Sequence, residues 1–228
     1  ALRVNPKEPS VYGMLAWLYM QGKRPDDALA IARRGMAETG ESAAFHSIIG
    51  LILQEKQEYP QALEAFEKAV ALEENAGTFF HLGVVHDKLG NAAELERCMR
   101  RAIELDPAHH AAMNYLGYSF LLAGRNLREA FSLIERANLF DPGNPAYLDS
   151  LGWAWFLRGD DRRAEPLLLR AVEGERDPEV MEHLGHVYYR RGDMIRAIYW
   201  WSFSLDLKRN PGIQSLVEKA RERLGQVR

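Results

Sequence analysis

The sequence predicts an all-α fold, a solenoid of stacked helix–turn–helix repeats closed by a C-terminal capping helix. Two observations carry this. One residue pattern recurs at seven places, about 34 residues apart, a period typical of helical-hairpin arrays rather than of a single globular core. Its best copies run from Leu82-Gly83 to Ala102 and Pro107, from Leu116-Gly117 to Ala137 and Pro142, and from Leu151-Gly152 to Ala164 and Ala171. Each recurring residue has a physical use. Small residues let two helix backbones cross closely while large ones fill the space beside them. Glycine suits the helix end that turns back, and proline stops the second helix before the next unit.

Residues 1–8 read as the tail of an upstream repeat, because ALRVNP parallels AIELDP (102–107) and ANLFDP (137–142). The chain is therefore expected to begin inside a repeat and to be a piece of a longer protein. Six full repeats follow over 9–211, starting near 9, 43, 76, 110, 145 and 178. The first has Tyr12, Leu15, Ala16 and Tyr19, then Ala28, Ala32 and Gly35, with a turn at 22–27 that reads one residue long. The second has His46, Ile49, Gly50 and Leu53, then Tyr59, Ala62, Phe66 and Ala69. In the third, Phe79, Leu82, Gly83 and His86 precede Gly90, but Leu95 replaces the expected small residue, which predicts looser or shifted packing.

The fourth carries Met113, Leu116, Gly117 and Phe120, then an extra turn residue in GRNLREA before Ala130, Ile134 and Ala137. The fifth reads Leu148, Leu151, Gly152, Trp155, Gly159, Ala164, Leu168 and Ala171. The sixth reads Met181, Leu184, Gly185, Tyr188, Gly192, Ala197, Trp201 and Ser204. Over 212–228 one more amphipathic stretch puts Ile213, Leu216, Val217, Ala220 and Leu224 on one stripe, opposite Glu218, Lys219, Arg221, Glu222 and Arg223. A helix of this kind covers the open end of a solenoid with a polar outer surface.

Composition narrows the function classes. The net charge is −3 and the basic residues are scattered or interleaved with acids, so there is no electrostatic footprint for nucleic acid. No apolar run approaches bilayer length, so no membrane contact by this segment is expected. Cys98 is the only cysteine; it reads as a small buried hydrophobe, with no disulfide or CxxC site. No nucleophile elbow, phosphate loop or paired-carboxylate constellation is present, so no enzyme and no cofactor are expected. The one metal candidate, His183 and His186 in an H-x-x-H spacing with Glu179 or Glu182 nearby, lacks the four-residue spacing of a zincin helix. A metal-dependent hydrolase built there ranks last among the readings.

The unit resembles the tetratricopeptide (TPR) repeat over residues 1 to about 211, which implies a right-handed superhelix with first helices lining a concave groove. The resemblance also implies that the second, fifth, ninth and twelfth residues of each unit face that groove. The expected partner-binding residues are Trp17, Phe80, Asn114, Tyr118, Asp149, Trp153, Phe156, Glu182, His186 and Tyr189. TPR domains that grip a C-terminal carboxylate use lysine, arginine and asparagine there; only Asn114 fits, which disfavours that ligand. Aromatic liners instead suit an apolar partner segment or helix, with Asp149, Glu179 and Glu182 adding selectivity for basic residues. Ninth-position aromatics such as Trp17 and Trp153 also read as packing between neighbouring first helices. The outward sides of the second helices read as mostly charged, as at Arg97, Arg100, Glu104, Arg162 and Arg163.

Residues 76–225 look more narrowly like the C-terminal half of bacterial outer-membrane TPR lipoproteins. The telling pieces are Leu116-Gly117-Tyr118 with its longer turn, Asp149-Ser150-Leu151-Gly152-Trp153, and Glu182-His183-Leu184-Gly185. That resemblance implies a non-catalytic adaptor of envelope assembly or proteolysis, in the periplasm or at the outer membrane, with a lipid anchor upstream; a cytoplasmic location stays open. The expected function is a scaffold that binds a protein or peptide partner. The alternative is a structural homo-oligomer that associates through its repeat ends.

Overall fold

A computed structural model describes residues 8–226. The expected upstream tail over 1–8 lies, except for Glu8, outside the described residues. Among the described residues there are thirteen α-helices and no strand. The chain divides into two compact units at Ala112/Met113.

The first unit holds α1 (Pro9–Gln21), α2 (Pro25–Thr39), α3 (Ala43–Glu55), α4 (Tyr59–Leu72), α5 (Ala76–Lys88) and α6 (Ala92–Leu105). Helices pack in sequence order, α1 on α2, α3 on α4 and α5 on α6, with each pair against the next. Proline occupies the first turn of α1, α2 and α4, where its missing N–H would be unpaired in any case. Ser42 caps α3 by accepting the N–H of Phe45 at 3.4 Å, and Asn75 caps α5 through Gly77 and Thr78. The core runs through Ala16, Ala28, Ala32, Ile52, Ala62, Phe66 and Val85.

The first turn is not long: Pro25 starts α2, so residues 22–24 span the same three-residue gap as 56–58, with Lys23 and Gln57 at positive φ. The reading failed because the helix begins at proline rather than at the later Asp27. In the third hairpin, a β-carbon built on Gly83 would lie 3.5 Å from the Leu95 carbonyl oxygen, against 2.8 Å from Ala130 for Gly117 and 3.3 Å from Ala164 for Gly152. Cys98 supplies the small side chain at the crossing, its Cβ 3.1 Å from that position, so the hairpin packs as closely as its neighbours despite Leu95.

The second unit holds α7 (His110–Leu122, whose first residues precede the division), α8 (Leu127–Phe140), α9 (Pro145–Leu157), α10 (Asp161–Gly174), α11 (Pro178–Arg190), α12 (Met194–Leu207) and α13 (Pro211–Gln226). The α7–α8 turn is the long one, with Gly124 and Asn126 both at positive φ. Asn144, Asp160, Asp177 and Asp193 cap α9 to α12 with their side-chain oxygens. Leu168 fills the space beside Gly152, and Trp201 the space beside Gly185. α13 lays Ile213, Val217 and Ala220 against α12 and joins the same core. No described helix is long and apolar enough to cross a membrane.

Candidate functional site

In the second unit three first helices converge on a cleft of about 180 Å³. Asn114 and Tyr118 reach it from α7, Asp149 and Ser150 from α9, and Glu179 and Val180 from α11. Glu175 and Asp177 join from the turn before α11. The Tyr118 hydroxyl donates to the Glu179 carboxylate. Burial first, and that bond second, push the Tyr118 hydroxyl above its ordinary range, so it stays a donor. The amide oxygen of Asn114 is buried and has no hydrogen-bond partner. Four carboxylates and no lysine or arginine line the cleft. This arrangement disfavours an anion and suits a group that donates hydrogen bonds and carries positive charge.

A side-chain stack adjoins the cleft through Asp149. Asp149 Oδ1 lies 2.8 Å from His183 Nδ1, and both residues are buried. Trp153 stacks on His183 at 4.0 Å between centroids and on Phe156 at 4.7 Å, each within 15° of parallel. The Arg190 guanidinium sits 3.6 Å over the Phe156 ring while bonding Asp161. The series Asp149, His183, Trp153, Phe156, Arg190, Asp161 therefore ties α9 and the start of α10 to α11. Such stacked and cation–π contacts are each worth about 0.5–1.5 kcal/mol beyond the area they bury.

The expected groove residues thus divide. Asn114, Tyr118 and Asp149 meet at the cleft. Trp153 and Phe156 are engaged inside the chain by the stack. Glu182 faces the second helix and cap: its Oε1 accepts from Ser204 Oγ and Asn210 Nδ2, both at 3.0 Å. His186 and Tyr189 pack against the buried Trp201 ring at 5.3 and 5.4 Å, and Arg223 covers Tyr189. Burial, with a smaller push from His183, lowers His186 to about 4, so it is neutral at physiological pH. Phe80, in the first unit, packs its ring against His81 and His109. Trp17 is 59% exposed on α1 and lines a separate cleft of that unit.

Sequence reasoning missed Glu175 and Asp177, which come from a turn and not from a first-helix position. His183, a metal candidate in the sequence, has its Nδ1 taken by Asp149 and its ring by Trp153. The pairing signal was the 34-residue separation of Asp149 and His183, one repeat apart. The outward side of α12 also departs from the charged reading, with Ile195, Tyr199, Phe203 and Leu207 exposed by 67, 52, 44 and 56%.

Tetratricopeptide-repeat family models match residues 82–145 and 43–75. No curated protein sequence matches. Among solved structures, the APC/C hetero-tetramer Cut9–Hcn1 aligns with a TM-score of 0.86 at 17% identity, over 96% of this chain and 44% of that one. The chain thus spans under half of that relative. PilF of Pseudomonas aeruginosa aligns with a TM-score of 0.78 at 16% identity, over 92% of this chain and 97% of that one. YrrB, a TPR protein with an unusual peptide-binding site, aligns with a TM-score of 0.58 at 24% identity, over 78% and 92%. At these identities the likeness is one of fold, and none of it supports the narrower resemblance to outer-membrane lipoproteins. Residues 43–75 and 82–145 are tetratricopeptide repeats, set in an all-α fold of helix–turn–helix pairs.

Proposed function

We propose that this chain is a non-catalytic scaffold that binds a segment of a partner protein, and that the cleft of the second unit selects a basic residue in that segment. TPR proteins bind protein or peptide partners, which supports the general reading. The single observation that carries the specific one is the convergence of Asp149, Glu175, Asp177 and Glu179 on one cleft with no cation among its liners. A lysine or arginine there meets these carboxylates in charge-assisted hydrogen bonds.

The test compares short peptides carrying one central arginine, lysine, glutamine or glutamate, titrated against the wild type and a Glu175→Gln/Glu179→Gln variant. Both glutamates are exposed, so the fold is retained. Binding of the arginine and lysine peptides should weaken in the variant and lose part of its salt dependence. Equal affinity for all four peptides would reject the selectivity, and unchanged affinity in the variant would reject the site.

The envelope-adaptor role draws on the sequence resemblance over 76–225 alone. Self-association is a second reading, supported by the exposed apolar stripe on α12. Light scattering over a wide concentration range decides it: a strict monomer excludes the oligomer.

A further inference from the structure

Between residues 113 and 207 every lysine-or-arginine position is arginine, and most of these arginines sit at the three hairpin turns of the second unit. Two open clefts join these turns. One, of about 400 Å³, takes Arg128 from the start of α8 and Arg158 from just past the end of α9, together with Phe131 and Ser132. The other, of about 540 Å³, takes the same Arg158 with Arg162 and Arg191. The residue type matters: a planar guanidinium offers paired N–H groups that match a carboxylate, where an ammonium is a point charge.

Most carboxylates along this edge are already engaged. Asp161 bonds Arg190 and Glu165 bonds Arg191. Asp160 and Asp193 cap α10 and α12 and pair with Arg163 and Arg196. By contrast, Arg128, Arg158 and Arg162 are exposed and, among the described residues, have no carboxylate partner. Arg158 is nevertheless held in place. Its guanidinium lies 4.3 Å from the Phe131 centroid and 5.3 Å from that of Trp155, and Trp155 also carries Arg163 at 4.3 Å. Of these two guanidinium groups on one indole, only Arg163 has a carboxylate partner. Like charges so placed repel until a counter-charge arrives. Stacking also fixes the Arg158 side chain beforehand, so little freedom is lost when an anion binds it.

We propose that this edge docks an acidic segment of a partner protein, Arg158 holding one Glu or Asp carboxylate through paired N–H bonds and Arg128 and Arg162 taking its acidic neighbours. The acids interspersed along the edge, Asp160, Asp161, Glu165 and Asp193, repel the continuous charge of a nucleic-acid backbone. The unpaired arginines are spread over two clefts, which suits separate carboxylates better than one doubly charged phosphate. The site is distinct from the acidic cleft and goes beyond the basic-residue reading. Asp149 lies near the start of α9 and Arg158 just past its end, about 14 Å of helix rise apart.

The probes are capped peptides Gly-Ser-X-X-X-X-Ser-Gly with X as glutamate or glutamine, and a third with one glutamate replaced by phosphoserine. Isothermal calorimetry follows binding at low salt and at about 200 mM sodium chloride. The glutamate peptide should bind with a dissociation constant of about 100 µM at low salt and about tenfold more weakly at the higher salt. The glutamine peptide should not bind measurably. Arg128→Gln/Arg158→Gln should weaken the glutamate peptide about tenfold or more. Arg158→Lys, which keeps the charge but not the fork, should weaken it about threefold. Arg162→Gln gives an independent reading if the Arg158 variants lose stability. Arg209→Gln/Arg221→Gln removes the same charge at two exposed positions elsewhere and should leave binding within about twofold. The Glu175→Gln/Glu179→Gln variant should bind the glutamate peptide at least as well as the wild type, so the two sites stand or fall separately. Equal affinity for glutamate and glutamine peptides, or a preference for phosphoserine above about tenfold, would overturn the proposal. So would indifference to both Arg128→Gln/Arg158→Gln and Arg162→Gln, or an equal loss in the Arg209→Gln/Arg221→Gln control.

Discussion

Replacing Gly185 by alanine is the sharpest test of how α11 and α12 are held. A β-carbon there would lie 2.2 Å from both Cδ1 and Nε1 of Trp201 and 2.7 Å from Cε2. The indole has nowhere to go, because Trp201 is fully buried and donates its N–H to the Glu182 carbonyl at 3.1 Å. Shifting it breaks that bond and disturbs the His186 and Tyr189 rings beside it. Alanine gains about 1 kcal/mol of helix propensity over glycine. Against this stand about 1–3 kcal/mol or more of overpacking and about 1–3 kcal/mol for a buried donor left unmet. The net loss should be about 2–4 kcal/mol. Urea unfolding followed by far-UV circular dichroism reads it, with Gly225→Ala as the control, since nothing lies within 4 Å of that position. The control should be neutral or slightly stabilised. A Gly185→Ala protein that unfolds at the wild-type urea concentration would refute the packing argument.

Other perturbations probe separate features. Cys98 is 2% exposed and burial pushes its thiol up to about 11, so about one thiol in a thousand is ionised at pH 8. Its reaction with a disulfide reagent should proceed only as fast as the protein opens, and rapid labelling of the native state would contradict this. His186 sits near 4 when folded and at its ordinary 6.5 when unfolded. The unfolded state therefore takes up the proton first, and stability should fall as pH drops from 6.5 to 4, by at most about 3 kcal/mol, then level off. His186→Gln should flatten that part of the pH–stability curve; an unchanged slope would exclude His186 as its source. Asp149→Ala should cost about 2–4 kcal/mol by leaving His183 buried without its partner, and an Asp149→Ala/His183→Leu double variant should recover part of that loss in the same unfolding assay.

The helices were legible in the sequence because their signals are local. Pro9, Pro145 and Pro178 open first helices, Gly90, Gly159 and Gly192 take the positive φ of the turns, and the Leu-Gly pairs mark where a second helix crosses closely. A period of 34 then places each residue relative to its own hairpin. It does not say which neighbour a long side chain will choose. Glu182 occupies a groove register, yet its carboxylate turns to Ser204 and Asn210 because both present donors toward it. Trp153 occupies another, and its ring is held by His183 from the next repeat and Phe156 from its own helix. Glu175 and Asp177 escaped because a turn residue has no place in a helical register. The first-unit cleft was partly visible, since Trp17, Met20, Leu51 and Gln54 share groove registers.

Asp149 lines the acidic cleft and also anchors the ring stack through His183. One carboxylate thus serves two equilibria, and thermodynamic linkage makes their effects on each other equal in size. On the proposed reading, a cation drawn to Asp149 alters how firmly His183 is gripped. Conversely, on the proposed reading, opening of the stack alters the hold on that cation by the same factor. On the same reading the cleft is addressable from a distance: Asp161, at the far end of the series, is expected to tune the affinity for a basic segment that it never touches.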